Sequence, residues 1–298
     1  MTAIILPKLF GKHNTAHSKD DCSNSHTTSS LASNAYDEMM GLLGTSQQAE
    51  AQCIAEIKDS FRKFGIRLPH EKVFRYASFY NYNAEEAIDR IREDNGNPYM
   101  QLKMKEDLQD QFGSTNALFP LPDLRTRKTN SEVIYMNPAR FNPNQDDIDT
   151  FIDSLCYVLN DLSQTVDQCQ NGVTVIANMK DVTMENFNKE YCAKLMQALQ
   201  GDMVPTNVDA FLIVSPPSWF GKVFKWMKSS KKTSKDFLKR VHQLKEEEDL
   251  SPYLMSQPEL YLPDGLCGGH AVGAELCEDY MDLKIAQEQR QQEDARKQ

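Results

Sequence analysis

Three short apolar runs, separated by stretches of helical spacing, set the fold class of this 298-residue chain. Glu132-Val133-Ile134-Tyr135-Met136 is rich in β-branched and aromatic residues and is closed by Asn137-Pro138, the pattern of a strand. Gly172 opens a second run, Val173–Ala177, and Asp209–Ser215 forms a third that is apolar from Ala210 to Val214. Between the first two, Asn144 is the expected cap of a helix with Asp146, Asp147 and Asp149 in its first turn, where the dipole favours acids. Its inward stripe is Ile148, Phe151, Ile152, Leu155, Leu159 and Leu162. Between the second and third, residues Thr183 to Leu199 repeat the helical period, with Phe187, Tyr191, Leu195, Met196 and Leu199 inward. Strand and helix alternating in this way predict an α/β domain with a mixed, partly parallel sheet.

Upstream the period is helical throughout. Ile54, Ile57, Phe61 and Phe64 recur at three- and four-residue steps and Gly65 is a plausible stop. A second stretch from Pro69 carries Val73, Phe74, Ala77 and Tyr80, and a third, opened by Asn83, carries Ala84, Ala87, Ile88 and Ile91. These predict a small helical bundle over 50–108. Residues 1–49, rich in Ser, Thr, Asn and His without apolar period, are expected to be a disordered tail, and His13, His17, Cys22 and His26 within it have nothing to organise them around a metal. Residues 109–130, with Gly113, Pro120 and Pro122, are expected to be a linker, 131–273 the α/β domain, and 274–298 a charged, helix-prone C-terminal tail.

Charge then separates one segment from the rest. The chain carries a net −10, yet from Lys222 to Lys245 nine basic residues face one acid, Asp236, a net of +8 over 24 residues. Ser215-Pro216-Pro217 prepares a helix start. In the helix that follows, Trp219, Phe220, Val223, Phe224, Trp226 and Met227 fall within an arc of about 160°, with Lys222, Lys225 and Lys228 opposite. An aromatic face backed by lysines fits either a helix packed on the sheet with a solvated lysine face or an element that enters a lipid headgroup region while its cations attract anionic lipid. A nucleic-acid partner is not expected, because the aromatics form one continuous face rather than separated stacking platforms. Beyond it, Arg240-Val241-His242-Gln243-Leu244 fits either a continued helix or a short edge strand.

The usual marks of catalysis do not occur. There is no Gly-x-Ser-x-Gly elbow, no Walker loop and no Gly-x-Gly-x-x-Gly. His70-Glu71 lacks the second histidine of a zinc-protease helix, and Cys267 and His270 sit in a turn-rich Gly265–His270 stretch with no orienting partner. The seven cysteines are unpaired in spacing, the pattern of reduced thiols. Met1–Phe10 is only briefly apolar and includes Pro7 and Lys8, so no secretory leader is expected, and no run approaches the roughly 18 apolar residues of a membrane span. No enzyme activity, metal or cofactor is expected.

Taken in order, several motifs resemble the Sec14-like, or CRAL-TRIO, lipid-binding proteins over roughly residues 52–270. Val73-Phe74-Arg75-Tyr76-Ala77 with Tyr82-Asn83-Ala84-Glu85-Glu86-Ala87 is similar to the family's N-terminal bundle, and Val133–Met136 and Gly172–Ala177 to its first core strands. Val204-Pro205 and then Phe211-Leu212-Ile213-Val214-Ser215-Pro216-Pro217-Ser218-Trp219-Phe220 resemble its proline turn, strand and Pro-x-x-Phe lead into a gate helix. Leu262-Pro263-Asp264-Gly265-Leu266-Cys267-Gly268-Gly269 resembles its closing segment.

The resemblance implies a closed α/β pocket that holds one hydrophobic ligand, with a gate that touches membrane. Val173, Val175, Phe211 and Ile213, or their alternate neighbours, would line the pocket; Trp219, Phe220, Val223, Phe224 and Met227 would form the gate. Lys225, Lys228, Lys231, Lys232, Lys235, Lys239 and Arg240 would meet anionic lipid, Lys235 matching a basic position near the family's headgroup and phosphoinositide contacts and Lys239-Arg240 resembling the basic patch of its tocopherol and retinoid carriers. Where family members that hold an inositol phospholipid often place an acid and an arginine, this chain has Thr206 and Asn207, and Ser78-Phe79-Tyr80-Asn81 replaces a basic run. The resulting expectation is a monomeric cytoplasmic protein, reversibly bound at membranes, that transfers or presents a lipid. The competing expectation is a peripheral membrane adaptor whose pocket does not exchange its content.

Overall fold

In the computed structural model, described here for residues 46–255, 262, 263, 266 and 273–297, a small helical bundle sits against a five-stranded α/β sheet. The bundle is built from α1 (46–62), α2 (His70–Phe79) and α3 (Ala84–Glu93), whose Cys53, Ile57, Phe61, Val73, Tyr76, Ala77, Ala87 and Ile91 form a core of their own. Helix α1 already runs at residue 46, inside the segment expected to be tail; 1–45, with His13, His17, Cys22 and His26, lie outside the described residues. Phe64 departs from the expected inward stripe, since Gly65 ends the helix first and leaves that ring 73% exposed.

The expected linker at 109–130 is regular structure instead: α4 (Glu106–Thr115) and strand β1 (Leu118–Arg125). Pro120 and Pro122 are two residues apart, so both missing N–H groups fall on one side of the strand, the side that an edge strand can leave unpaired. Then follow β2 (Glu132–Met136), α5 (Ile148–Asp161), α6 (Val166–Asn171), β3 (Val173–Asn178), α7 (Lys189–Leu199), β4 (Val208–Val214), α8 (Phe220–Ser229), α9 (Lys235–Leu238), β5 (Val241–Leu244) and α10 (Gly273–Lys297). The strands lie in chain order, β1 antiparallel to β2 and the others parallel, a mixed sheet as expected. Val241–Leu244 takes the edge-strand alternative.

Helix starts follow side-chain chemistry closely. Helix α5 is capped by Asp147, not Asn144, whose amide instead donates to Glu185 O at 3.0 Å. Asn188 caps α7, so the stretch expected to be helical from Thr183 begins as a separate turn. Register puts Ile134, Val175 and Phe211 side by side, with Met136, Ala177 and Ile213 one pleat further along, so these six share a sheet face. Every residue of β3 is buried, as a central parallel strand covered on both faces requires. Gly201 (φ +89°) is obligatory where the bundle meets this domain: a Cβ there would lie 2.2 Å from Phe79 Cζ.

The segment expected to be a charged tail is largely docked. Cys277 and Tyr280 of α10 are buried against α4, with Cys277 Sγ donating to Phe112 O at 3.4 Å. Lys284 pairs with Asp161 at 2.7 Å, and Glu288 accepts from Tyr157 Oη at 2.9 Å and from the Met104 amide at 3.1 Å. The outer face of this 25-residue helix, with Glu275, Glu278, Asp279 and Asp282, and its end from Gln289 onward carry the polar exposure that its composition suggests.

Candidate functional site

The ends of β2, β3 and β4 meet the first turns of α7 under α8, and a small cavity remains between them. Its floor is Met136, Ala177, Phe211 and Ile213, its wall Tyr191, Cys192, Leu195 and Met196, and its roof Trp219, Phe220, Val223 and Met227. The cavity volume is about 60 Å³. That is room for roughly two waters, against the ~300–1,000 Å³ of ordinary small-ligand sites. The roof is therefore packed down on the floor: Phe220, Val223 and Met227 are buried, and Trp219, Phe224 and Trp226 are half-buried against the same core. The arc read from periodicity faces inward here, with its aromatic rings joined edge-to-face (Phe187–Trp219, Trp219–Phe220) and stacked (Phe220–Phe224).

One polar atom in this lining is unusual. Tyr191 Oη makes no hydrogen bond, although the residue is only 3% exposed. Burial holds this phenol far above its usual pKa, so it stays a neutral donor. Its ring is fixed by Phe141 and Phe151 at centroid distances of 5.1 and 5.4 Å. An unpartnered buried hydroxyl costs about 1–3 kcal/mol, which a ligand oxygen would relieve. Sequence reasoning placed Tyr191 on the inward face of α7 but saw no role for it; the only signal was a phenol among Leu and Met.

Of the four expected pocket residues, Phe211 and Ile213 line the cavity, while Val173 and Val175 lie fully buried on the same face outside its lining. On the outer side of the roof, Lys222, Lys225, Lys228, Lys231, Lys232, Lys235 and Lys239 are all exposed. Lys228 Nζ lies 4.3 Å from the Phe224 ring centre, and Lys239 pairs with Asp236 at 2.6 Å. Arg240 differs from the expectation for it. Its Nη1 donates to Val208 O at 2.7 Å and its guanidinium sits over Phe237, and burial lowers its pKa, so it braces β4 against α9.

At Thr206 and Asn207, Asn207 Nδ2 donates to Ser78 Oγ at 3.4 Å, and Thr206 Oγ1 lies 3.0 Å from Ser163 Oγ and accepts from the Arg75 guanidinium at 3.4 Å. A wider polar cleft of about 740 Å³ between α2, α5 and α10 is lined by charges already satisfied in part, such as Lys284 with Asp161, and suits no acyl chain. No group of three or more metal-ligating side chains occurs among the described residues, and none of their helices is long and apolar enough to cross a membrane. Cys267, His270 and the closing glycines lie outside the described residues.

The family model for the CRAL/TRIO domain matches residues 125–262, from the end of β1 to beyond β5. Residues 125–262 are a CRAL/TRIO domain. The crystal structure of Sfh5 has a similar fold, with a TM-score of 0.51 at 12% identity over 82% of this chain and 98% of that one. No curated protein matches the sequence. CRAL/TRIO and Sec14-like proteins generally bind and transfer lipophilic ligands, as carriers rather than enzymes. In this CRAL/TRIO domain the match covers the cavity floor, α7 and α8, and it begins six residues before the boundary expected from sequence.

Proposed function

We propose that this protein carries a lipophilic molecule in the cavity beneath α8 and exchanges it at anionic membranes, with α8 as the gate. The observation that supports this most is the two-sidedness of the roof: apolar side chains closing an apolar cavity, with seven exposed lysines on and just after the same helix. Lifting Phe220, Val223 and Met227 off the floor costs roughly 1.5–3 kcal/mol for each side chain left in water. Entry into the headgroup region removes that cost, and each nearby lysine adds about 1 kcal/mol of attraction. The open roof then leaves Phe211, Ile213 and Tyr191 accessible to lipid. The bound molecule would be uncharged where it meets the floor, with one oxygen for Tyr191. The protein would act as a reversibly membrane-bound monomer in the cytoplasm, without a cofactor or a nucleic-acid partner.

A second reading has its own support in the cavity of about 60 Å³: an adaptor that binds membranes through the lysines while the pocket stays collapsed. Native mass spectrometry of the purified protein, before and after incubation with mixed liposomes, separates the two. A stoichiometric lipid that exchanges with labelled liposome lipid is the carrier result. A mass that stays free of lipid throughout, with vesicle binding intact, is the adaptor result and ends the first reading.

A further inference from the structure

We infer that the turn closing α1 is a second membrane contact, open before α8 moves. Four large apolar side chains are exposed among the described residues, and two of them, Phe64 (73%) and Ile66 (47%), stand two positions apart in this turn. Single exposed apolar residues need no explanation, but such a pair at one point on a surface does. The turn is not a loose loop. Gly65 N–H reaches Arg62 O at 2.9 Å and Ile66 N–H reaches Phe61 O at 3.1 Å, with Gly65 at φ +75°, the Schellman arrangement. Both side chains are thereby fixed outward by backbone hydrogen bonds, and neighbouring Leu68 takes the inward place in the bundle core.

Charge selects the occupant. From Lys58 to Lys72 there are five basic residues (Lys58, Arg62, Lys63, Arg67 and Lys72) against Asp59 and Glu71, a net of +3 in a chain of −10. A shallow depression beside the turn is lined by Lys58, Arg62, Arg67 and His70. An aromatic and an aliphatic tip ringed by Lys and Arg matches a surface that is apolar inside and anionic outside, which is a lipid headgroup layer. A second copy of the same basic turn would be repelled rather than attracted. The difference from α8 is conformational: the α8 face must leave the core to reach lipid, whereas Phe64 and Ile66 are already presented. The inference therefore does not rest on the gate reading.

The test is co-sedimentation of the full chain with vesicles of phosphatidylcholine alone and of phosphatidylcholine mixed with phosphatidylserine. Phe64→Ala with Ile66→Ala should weaken binding to the mixed vesicles by about tenfold or more with an unchanged melting temperature. Lys63→Gln with Arg67→Gln should weaken it too, and Phe64→Trp should retain it. Unaltered binding by the alanine pair overturns the proposal. It is also overturned if the wild-type chain self-associates in light scattering and the alanine pair abolishes that association, since the turn then holds a second copy. If the alanine pair fails to fold, the glutamine pair decides on the same readout.

Discussion

Arg75 Nε donates to the carbonyl oxygen of Pro205 at 2.9 Å, and this bond ties the helical bundle to the loop that leads into β4. The same guanidinium gives Nη1 to Asn160 Oδ1 at 2.7 Å and Nη2 to Thr206 Oγ1 at 3.4 Å, so all three acceptors are neutral. Burial lowers its pKa, yet an arginine remains charged, and the site holds that charge by hydrogen bonds to neutral acceptors with the Asp94 carboxylate nearby. Arg75→Ala leaves two buried acceptors, one half-buried acceptor and a void, and should cost about 2–4 kcal/mol in chemical denaturation. Arg75→Lys restores the charge but not the fork, and should recover only part of the loss. A change under about 0.5 kcal/mol for the alanine variant would show that this bond carries nothing.

Tyr191→Phe should separate stability from ligand retention. The variant removes only a hydroxyl that has no partner in the closed cavity. In lipid-free protein it should be as stable as wild type or up to about 1–3 kcal/mol more stable, since a desolvated donor is no longer buried unmet. Ligand recovered by organic extraction should decrease in the same variant. A lipid-free Phe variant less stable than wild type by about 1 kcal/mol would mean that the hydroxyl is satisfied and is no ligand anchor.

How much of this could be seen in the sequence depends on whether a residue's role is local. Strands β2, β3 and β4 and the amphipathic arc of α8 came from periodicity, which is a property of adjacent residues. Strand β1 did not, because two prolines and a following bulge are breakers anywhere except on an edge, and edge position is a property of the assembled sheet. Arg240 reads as one more cation in a basic run until β4 brings the Val208 carbonyl to it. Phe64 fits the stripe of α1 by spacing, but Gly65 ends the helix before the stripe can include it. Tyr191 was placed on the right face; its unpartnered hydroxyl depends on what α8 and the Phe141–Phe151 pair do around it.

The two sides of α8 should respond differently to substitution. Met227, 3% exposed, is core in the closed state, and Met227→Ala should cost about 2–5 kcal/mol. Lys225→Gln with Lys231→Gln and Lys232→Gln removes three exposed charges and should leave stability within about 0.5 kcal/mol. The same triple variant should lose vesicle binding worth about 1 kcal/mol per charge, and the wild-type advantage should shrink as salt rises. Equal vesicle binding by triple variant and wild type at low salt would remove the electrostatic part of the gate.

Cys192 offers a direct view of the roof. It lies in the cavity wall, and burial pushes its thiol up to about 12. The reactive species is the thiolate, so at pH 8 the closed protein presents very little of it. If α8 lifts at a membrane, water reaches the wall and the pKa returns toward the ordinary ~8.5, which raises the thiolate fraction by about a thousandfold. Cys156, in α5 and outside the lining, is held even higher by burial and provides the internal control. N-ethylmaleimide labelling at pH 8, read by peptide mass spectrometry, should therefore rise at Cys192 on addition of phosphatidylserine-containing vesicles and stay flat at Cys156. Its pH dependence should change as well: in the closed protein the thiolate gains about tenfold per pH unit, whereas with vesicles the rise should flatten as pH passes the ordinary ~8.5. Equal, slow labelling of Cys192 with and without vesicles would show a roof that stays shut at the membrane, and would favour the adaptor over the carrier.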